Sequence, residues 1–394
     1  MLAALYEAVY AAPDDDAPRH VLADALLERG DPRGELIALQ LAATRDPRRE
    51  RELLEHHAAS WAGGVAAAGA VVFERGFPAR VQLAAKPALN LRAPEWRTVR
   101  ALDGLERVSK AKTLALCGVP SLRELGILAA TWLDQLVPPA RPWHALRMIG
   151  AMASESALAA LPELRAFRAT VTTGRREALR FEHASLAELD LLCAWPRRST
   201  LALPPSLERL ALHGVLGLPR FDLATVPGLR ELRLGARTDP IVPRAIPDSV
   251  EHLAIETAPF PLPVFETTAR SRLRSAKLVV GQVDAGSLAP LASIERLELA
   301  GYPAPGALAV LPALRALTLH TVPSFTPDGL GAALAQVPQL DELVLHLSDL
   351  ATPARDELRA LVAGTRVTRL AIRIGAGRDA QTSELLPPPP RGAA

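Results

Sequence analysis

Leu207-Glu208-Arg209-Leu210-Ala211-Leu212 is followed by Leu229-Arg230-Glu231-Leu232-Arg233-Leu234, and that by Val250-Glu251-His252-Leu253-Ala254-Ile255. All three share one frame, apolar-x-x-apolar-x-apolar. The frame recurs upstream at Leu122/Leu125/Ile127, Trp143/Leu146/Met148, Leu164/Phe167/Ala169 and Leu186/Leu189/Leu191. Downstream it recurs at Leu273/Ala276/Leu278, Ile294/Leu297/Leu299, Leu314/Leu317/Leu319, Leu340/Leu343/Leu345 and Val367/Leu370/Ile372. First positions step by 21, 21, 22, 21, 22, 21, 23, 21, 20, 26 and 27 residues, a period that chance clustering of apolar residues does not keep. A unit this short cannot bury both of its faces alone. Successive units must therefore stack, each adding a short strand to a parallel sheet and a return segment to the outer side. Positions four and six of the frame point inward. Leu161-Pro162, Val226-Pro227, Leu311-Pro312 and Val337-Pro338 stand just before a frame leucine. Proline there keeps the preceding residue out of the helical region and turns the chain back toward the sheet. The wider spacings near the end predict outer helices around Asp328–Gln336 and Ala354–Ala363.

Among 394 residues, 49% are apolar and 22% charged, enough for a packed core and too apolar for a mainly disordered chain. The net charge of +2 conceals an asymmetry: residues 1–60 carry −5, the remainder +7. Cys117 and Cys193 are too few for a disulfide framework and lack the paired spacing of a zinc site, which points to a reducing compartment. The first residues lack a basic signal region and no stretch offers about eighteen uninterrupted apolar residues. A cytoplasmic location without membrane association is the expectation.

Residues 1–60 lack the frame and predict helices at Leu2–Ala11, Pro18–Arg29, Arg33–Thr44 and Pro47–Ser60. Pro18 suits a first turn, and Asp14-Asp15-Asp16 before it complements the helix dipole. Asp24, Glu28, Asp31 and Glu35 read as solvated faces and turn formers, since the alternating ligands and central glycine of a calcium loop are absent.

The in-phase frames over roughly residues 94–374 resemble the leucine-rich-repeat family. The string from Asp14 to Glu35, with Leu22-Ala23-Asp24 and Leu27-Glu28-Arg29-Gly30-Asp31-Pro32-Arg33-Gly34-Glu35, is similar to the repeat-companion module that precedes repeats in myxobacterial and planctomycete proteins. Phe73-Glu74-Arg75-Gly76-Phe77-Pro78-Ala79-Arg80-Val81 resembles the segment leading into such repeats, and would supply the first, capping strand. The resemblance implies an α/β fold: a right-handed leucine-rich-repeat solenoid of about twelve to thirteen repeats, with a parallel β-sheet on its concave face and short helices or turns on its convex face. A small all-α module occupies residues 1–60, a connecting segment 61–93, the solenoid 94–374 and a flexible tail 375–394. One departure is clear. The family places Asn three residues after the frame, where this chain has Val215, Arg237, Ala258, Tyr302 and Val322, so its turns must be held by backbone bonds or water.

No phosphate-binding glycine loop, nucleophile elbow or metal-ligand spacing occurs. Adjacent His56 and His57 cannot both face one metal from a helix, and both cysteines read as core residues. The chain is expected to be no enzyme, with no cofactor, no metal and no small-molecule substrate. Aromatic residues at 4% and scattered tryptophans argue against single-strand nucleic-acid binding.

Position two of successive frames alternates strictly in sign: Glu208, Arg230, Glu251, Arg274, Glu295, Arg315, Asp341. With strands about 4.8 Å apart, this predicts a ladder of ion pairs along a nearly neutral strip, partly opposed at position three by Arg209, Glu231, His252, Ser275 and Arg296. Positions five and seven are freer. They nominate Arg233, Lys277, Glu298, Thr318 and Val344, with His213, Glu256, Val279, His320 and His346 beside them, for partner contact, and Arg147 and Arg168 from an early basic patch that also holds Arg123, His144 and Arg165. The expected function is a non-catalytic scaffold whose concave face recognises another protein, with the acidic N-terminal helices capping or docking the repeats. The alternative is a sensing or targeting subunit of a bacterial signalling or defence system whose enzymatic activity resides on another chain.

Overall fold

The computed structural model describes residues 1–129, 142–150, 158, 161–171, 178–181, 183–195, 199–215, 217–236, 243, 245–257, 259–263, 265–320, 334–347, 367–374 and 381–386. The chain divides into two compact units, Met1–Val171 and Thr172–Ala394.

The first unit begins with helices α1 (Leu2–Ala11), α2 (Ala17–Leu27), α3 (Pro32–Leu41) and α4 (Pro47–Trp61). Two starts follow one recipe, Asp then Pro. The Asp31 carboxylate accepts from the Arg33 backbone N–H at 2.9 Å, and that of Asp46 accepts from the N–H groups of Arg48 and Arg49, both at 3.1 Å. Proline in the first turn loses no bond, because its missing N–H would have had no partner there. Glu35 joins α3 to α4 through a two-pronged pair with Arg49, at 2.7 and 2.9 Å.

The helices do not close a core of their own. Val9, Tyr10, Leu22, Leu26 and Ile37 pack on Phe77, while Leu36, Leu53 and Trp61 pack on Phe73. Both phenylalanines belong to the hairpin β1 (Gly69–Glu74) and β2 (Phe77–Leu83), so the boundary expected at residue 60 falls inside a shared core. The lead-in segment forms this hairpin rather than one strand. Arg75 and Gly76 both adopt positive φ, 52° and 79°, as a two-residue hairpin turn requires. Gln40 of α3 seizes that turn. Its side-chain oxygen accepts from the Gly76 N–H at 2.7 Å, and its amide donates to the Phe73 carbonyl at 3.3 Å. A Cβ at residue 76 would stand 2.1 Å from Ile37 Cγ1. Gly76→Ala is therefore expected to cost about 2–4 kcal/mol, from left-handed backbone strain plus overpacking. A lowered urea midpoint measures it, and an unchanged midpoint would contradict this packing.

From β2 the unit continues through β3 (Ala101–Asp103), helix α5 (Lys110–Cys117), β4 (Glu124–Ala129), β5 (Ala145–Gly150) and β6 (Ala166–Val171). These strands pair in parallel and in order, with Leu125 opposite Leu146 and Leu146 opposite Phe167.

In the second unit, β7 (Ala178–Arg180) and β9 (Thr200–Ala202) form a small parallel pair. The main sheet comprises β8 (Glu188–Cys193), β10 (Arg209–Gly214), β11 (Glu231–Ala236), β12 (His252–Glu256), β13 (Ser275–Val283), β14 (Arg296–Pro303), β15 (Ala316–His320), β16 (Glu342–Leu347) and β17 (Arg369–Ile374). Neighbours pair in parallel with frame positions in phase: Leu189, Leu210, Leu232, Leu253, Ala276, Leu297, Leu317, Leu343 and Leu370 form one continuous row. Every member of that row is at most 3% exposed. Such burial contributes roughly 1.5–3 kcal/mol per leucine-sized side chain, so the sequence period becomes a continuous core.

The return segments share a device that the six-residue frame does not contain. Val226 N–H donates to the Leu223 carbonyl and Leu229 N–H to that of Val226. The same i to i−3 pairs recur in Leu158/Leu161/Leu164, Leu308/Leu311/Leu314 and Leu334/Val337/Leu340. With three residues per turn, a tight helix places every third side chain on one face, and all of these are buried. The outer helices expected at 328–336 and 354–363 lie almost wholly outside the described residues. After the strands, no asparagine ladder is needed: the Val215 N–H donates to the Cys193 carbonyl, and the Ala304 N–H to that of Val283. At Gly281 a Cβ would lie 1.9 Å from the Pro259 carbonyl oxygen, so a close backbone approach occupies the turn. Within the segment expected as a flexible tail, β18 (Gln381–Leu386) pairs antiparallel with β17. Backbone pairing at a sheet edge does not require the frame, which is why the sequence period did not reveal it. No helix among the described residues is long and apolar enough to cross a membrane.

Candidate functional site: the exposed strand face of the second unit

Strands alternate, so with positions four and six buried, positions three, five and seven line the opposite face. Along β10 the pattern is strict: Arg209, Ala211 and His213 are accessible while Leu210, Leu212 and Gly214 are buried. Position two precedes the strand. The side-chain ladder expected there is not formed: Arg315 and Asp341, 4.0 Å apart, are its one pair within ion-pair range among the described residues. Register is held instead by position-two carbonyls. Glu208 accepts from the N–H groups of Arg230 and Glu231, Arg230 from Glu251 and His252, and Glu251 from Arg274 and Ser275. Position two stands just before the strand, where its carbonyl accepts from the following repeat and its side chain is largely exposed.

The charged pairing expected at position two lies on the sheet face. Glu188 pairs with Arg209, Glu342 with Arg369 at 2.9 Å, and Glu231 with Arg233 of its own strand at 2.5 Å. Lys277 reaches Glu298 at 3.1 Å, and the same carboxylate contacts His320 Nε2 at 2.9 Å. His320 stacks on His346 with ring centroids 4.1 Å apart. Burial alone would push the Glu298 carboxyl up, but Lys277 and His320 outweigh it and hold it below its ordinary value. A depressed carboxylate stabilises the fold above its unfolded pKa and loses that contribution as pH falls through the folded value. The urea-midpoint gap between the parent chain and Glu298→Gln is thus expected to close as pH falls from about 5 to about 3. A gap unchanged over that window would exclude the linkage.

A concavity of about 480 Å³ opens on this face across β11–β16. Its floor is small, with Ala254, Ser275, Ala316 and Thr318 between larger neighbours. Among the nominated residues, Arg233, Lys277 and Glu298 line it, and His320 and His346 adjoin it through Glu298. His213 instead lies against Gly235 of the next strand, where a Cβ would meet its Nδ1 at 2.6 Å. Arg147 and Arg168 belong to the first unit, directly opposite each other on β5 and β6 and both exposed. The early basic patch divides. Arg123 turns back to the carbonyls of Pro120 and Leu122, and His144 lies 3.4 Å from Glu163. The acidic N-terminal turn is held by other cations: Arg75 binds Asp16 at 2.9 Å, Arg100 binds Asp14 at 2.7 Å, and Arg97 binds Glu7 at 2.8 Å.

Sequence reasoning read Arg296 only as a residue opposing the position-two ladder, and named Glu256 among the freer positions. Both line the concavity, and among the described residues no ion pair reaches either. The available signal for Arg296 was the strand's starting point: a frame whose strand begins at position three sets that position, rather than position two, on the sheet face. No family model matches the chain, and no curated protein matches it.

Proposed function

We propose that the chain is a leucine-rich-repeat solenoid with a repeat-companion segment at its N-terminus, and that it acts as a non-catalytic, cytoplasmic scaffold recognising another protein through its exposed strand face. One observation carries this reading: among the described residues no ion pair reaches Arg296 or Glu256, which stand over a floor of small side chains while the neighbouring charges are paired. An arginine beside small residues can take a partner carboxylate with both of its prongs, and arginine is among the residue types that most often carry interface binding energy. Paired neighbours of both signs favour a protein surface of mixed charge over a phosphate backbone.

The test is capture from host lysate on immobilised chain, in three forms: the parent, Arg233→Glu with Arg296→Glu, and Arg274→Glu at the rim. The expected outcome is a specific partner retained by the parent and the rim variant and reduced at least tenfold by the double variant. Equal retention by all three would remove the strand face from the reading.

A further inference from the structure

A second concavity lies in the first unit. It has a volume of about 670 Å³ and runs between the end of α1, the segment 91–97 and the segment 115–123. The size is that of a small-molecule site. Apolar surface, from Leu91, Ala93, Trp96, Val119 and Pro120, makes up about half of its lining, and the walls are pinned. The Ser121 hydroxyl donates to the carbonyls of Trp96 at 3.0 Å and Val99 at 2.7 Å, and Arg100 donates to the Pro13 carbonyl at 2.7 Å.

The charges in this cleft are one-sided. Arg92, Arg97 and Arg123 line it with a single carboxylate, Asp14, which Arg100 already holds. Arg97 is engaged by Glu7. Arg123 spends Nη1 on the carbonyls of Pro120 and Leu122, leaving Nε and Nη2. Arg92 is exposed and has no acceptor among the described residues. Tyr10 is 93% buried, since 7% of it is exposed, yet its hydroxyl makes no hydrogen bond among the described residues. Burial pushes that hydroxyl up to about 12, so it stays a neutral donor.

We propose that this cleft binds a small organic anion, a carboxylate or phosphate carried on an apolar body, with Arg92 and Arg123 holding the anionic group and Tyr10 donating to it. The apolar walls take the body, and the surplus of cations selects the charge. Isothermal titration of the full chain tests this with four probes: phenylacetate, phenyl phosphate, inorganic phosphate and benzyl alcohol. The expected result is saturable one-to-one binding of at least one aryl anion, at least tenfold tighter than inorganic phosphate or benzyl alcohol. Which aryl anion binds identifies the headgroup. Arg92→Gln with Arg123→Gln should weaken binding at least tenfold, and Tyr10→Phe several-fold. Arg92→Gln alone, at an exposed side chain with no hydrogen bond or ion pair among the described residues, should weaken it without any change in thermal transition. Failure of both aryl anions to saturate, undiminished binding in the Arg92 variants, or equal affinity for inorganic phosphate would each overturn the proposal.

Discussion

Phe77→Ala is expected to lower stability by about 3–5 kcal/mol from lost packing alone, and further because of what the ring serves. Phe77 is 1% exposed and meets Tyr6 and Tyr10 edge-on, with centroids 6.1 and 5.9 Å away. Two guanidinium groups lie over it: Arg33 at 4.5 Å and Arg19 at 5.5 Å. Arg19 is 2% exposed and Arg33 7%, and neither forms an ion pair among the described residues. Carbonyls hold them instead, Pro13 and Asp15 for Arg19 and Gly76 for Arg33. Burial and the nearby Arg75 lower the Arg19 guanidinium to about 10, a measure of how poorly its charge is compensated. Without the aromatic face both cations stay buried with less to stabilise them. Phe77→Leu separates the contributions, since it keeps most of the packing and loses the π face, worth about 1–2 kcal/mol for two partly desolvated cations. Chemical denaturation followed at the N-terminal unit measures both. If the leucine variant matched the parent, the cation–π account would fail.

Leu297→Ala is expected to cost about 2–5 kcal/mol, toward the upper end because one of its row neighbours is already an alanine. Leu297 sits opposite Ala276 on β13 and Leu317 on β15, and is 2% exposed. A cavity there adjoins a position that cannot fill it. Because each unit touches mainly its neighbours, the loss should appear first as faster amide exchange in β13–β15. Arg296→Glu, one residue earlier and on the exposed face, should change stability by no more than about 0.5 kcal/mol. Any loss of partner capture in Arg296 variants can then be assigned to the surface. Similar destabilisation by the two substitutions would refute the assignment of buried and exposed positions.

Much of the architecture was legible in the residues. The row from Leu189 to Leu370 could be read because burial at positions one, four and six leaves a periodic trace. The starts of α3 and α4 could be read because Asp-Pro satisfies helix ends locally. Lys277, Glu298, His320 and His346 could be nominated because alternation along a strand is local too. The position-two ladder misled because sign alternation in the sequence does not say where each strand begins. The charged pairs instead reside one position later, as in Glu342 with Arg369. Arg19, Arg33 and Gln40 read as ordinary helix residues, yet all are buried, and Gln40 grips a hairpin turn 36 residues away.

The sequence by itself determined the repeat period, the inward positions and the first turns of the helices, all consequences of neighbours in the chain and of which side chains water excludes. Only the tertiary structure decided that Phe73 and Phe77 complete the helical core, that position-two carbonyls rather than side chains key the register, and that no ion pair reaches Arg296 or Glu256 among the described residues. Each of those outcomes depends on groups brought together from distant segments, whose separation and orientation no local pattern encodes.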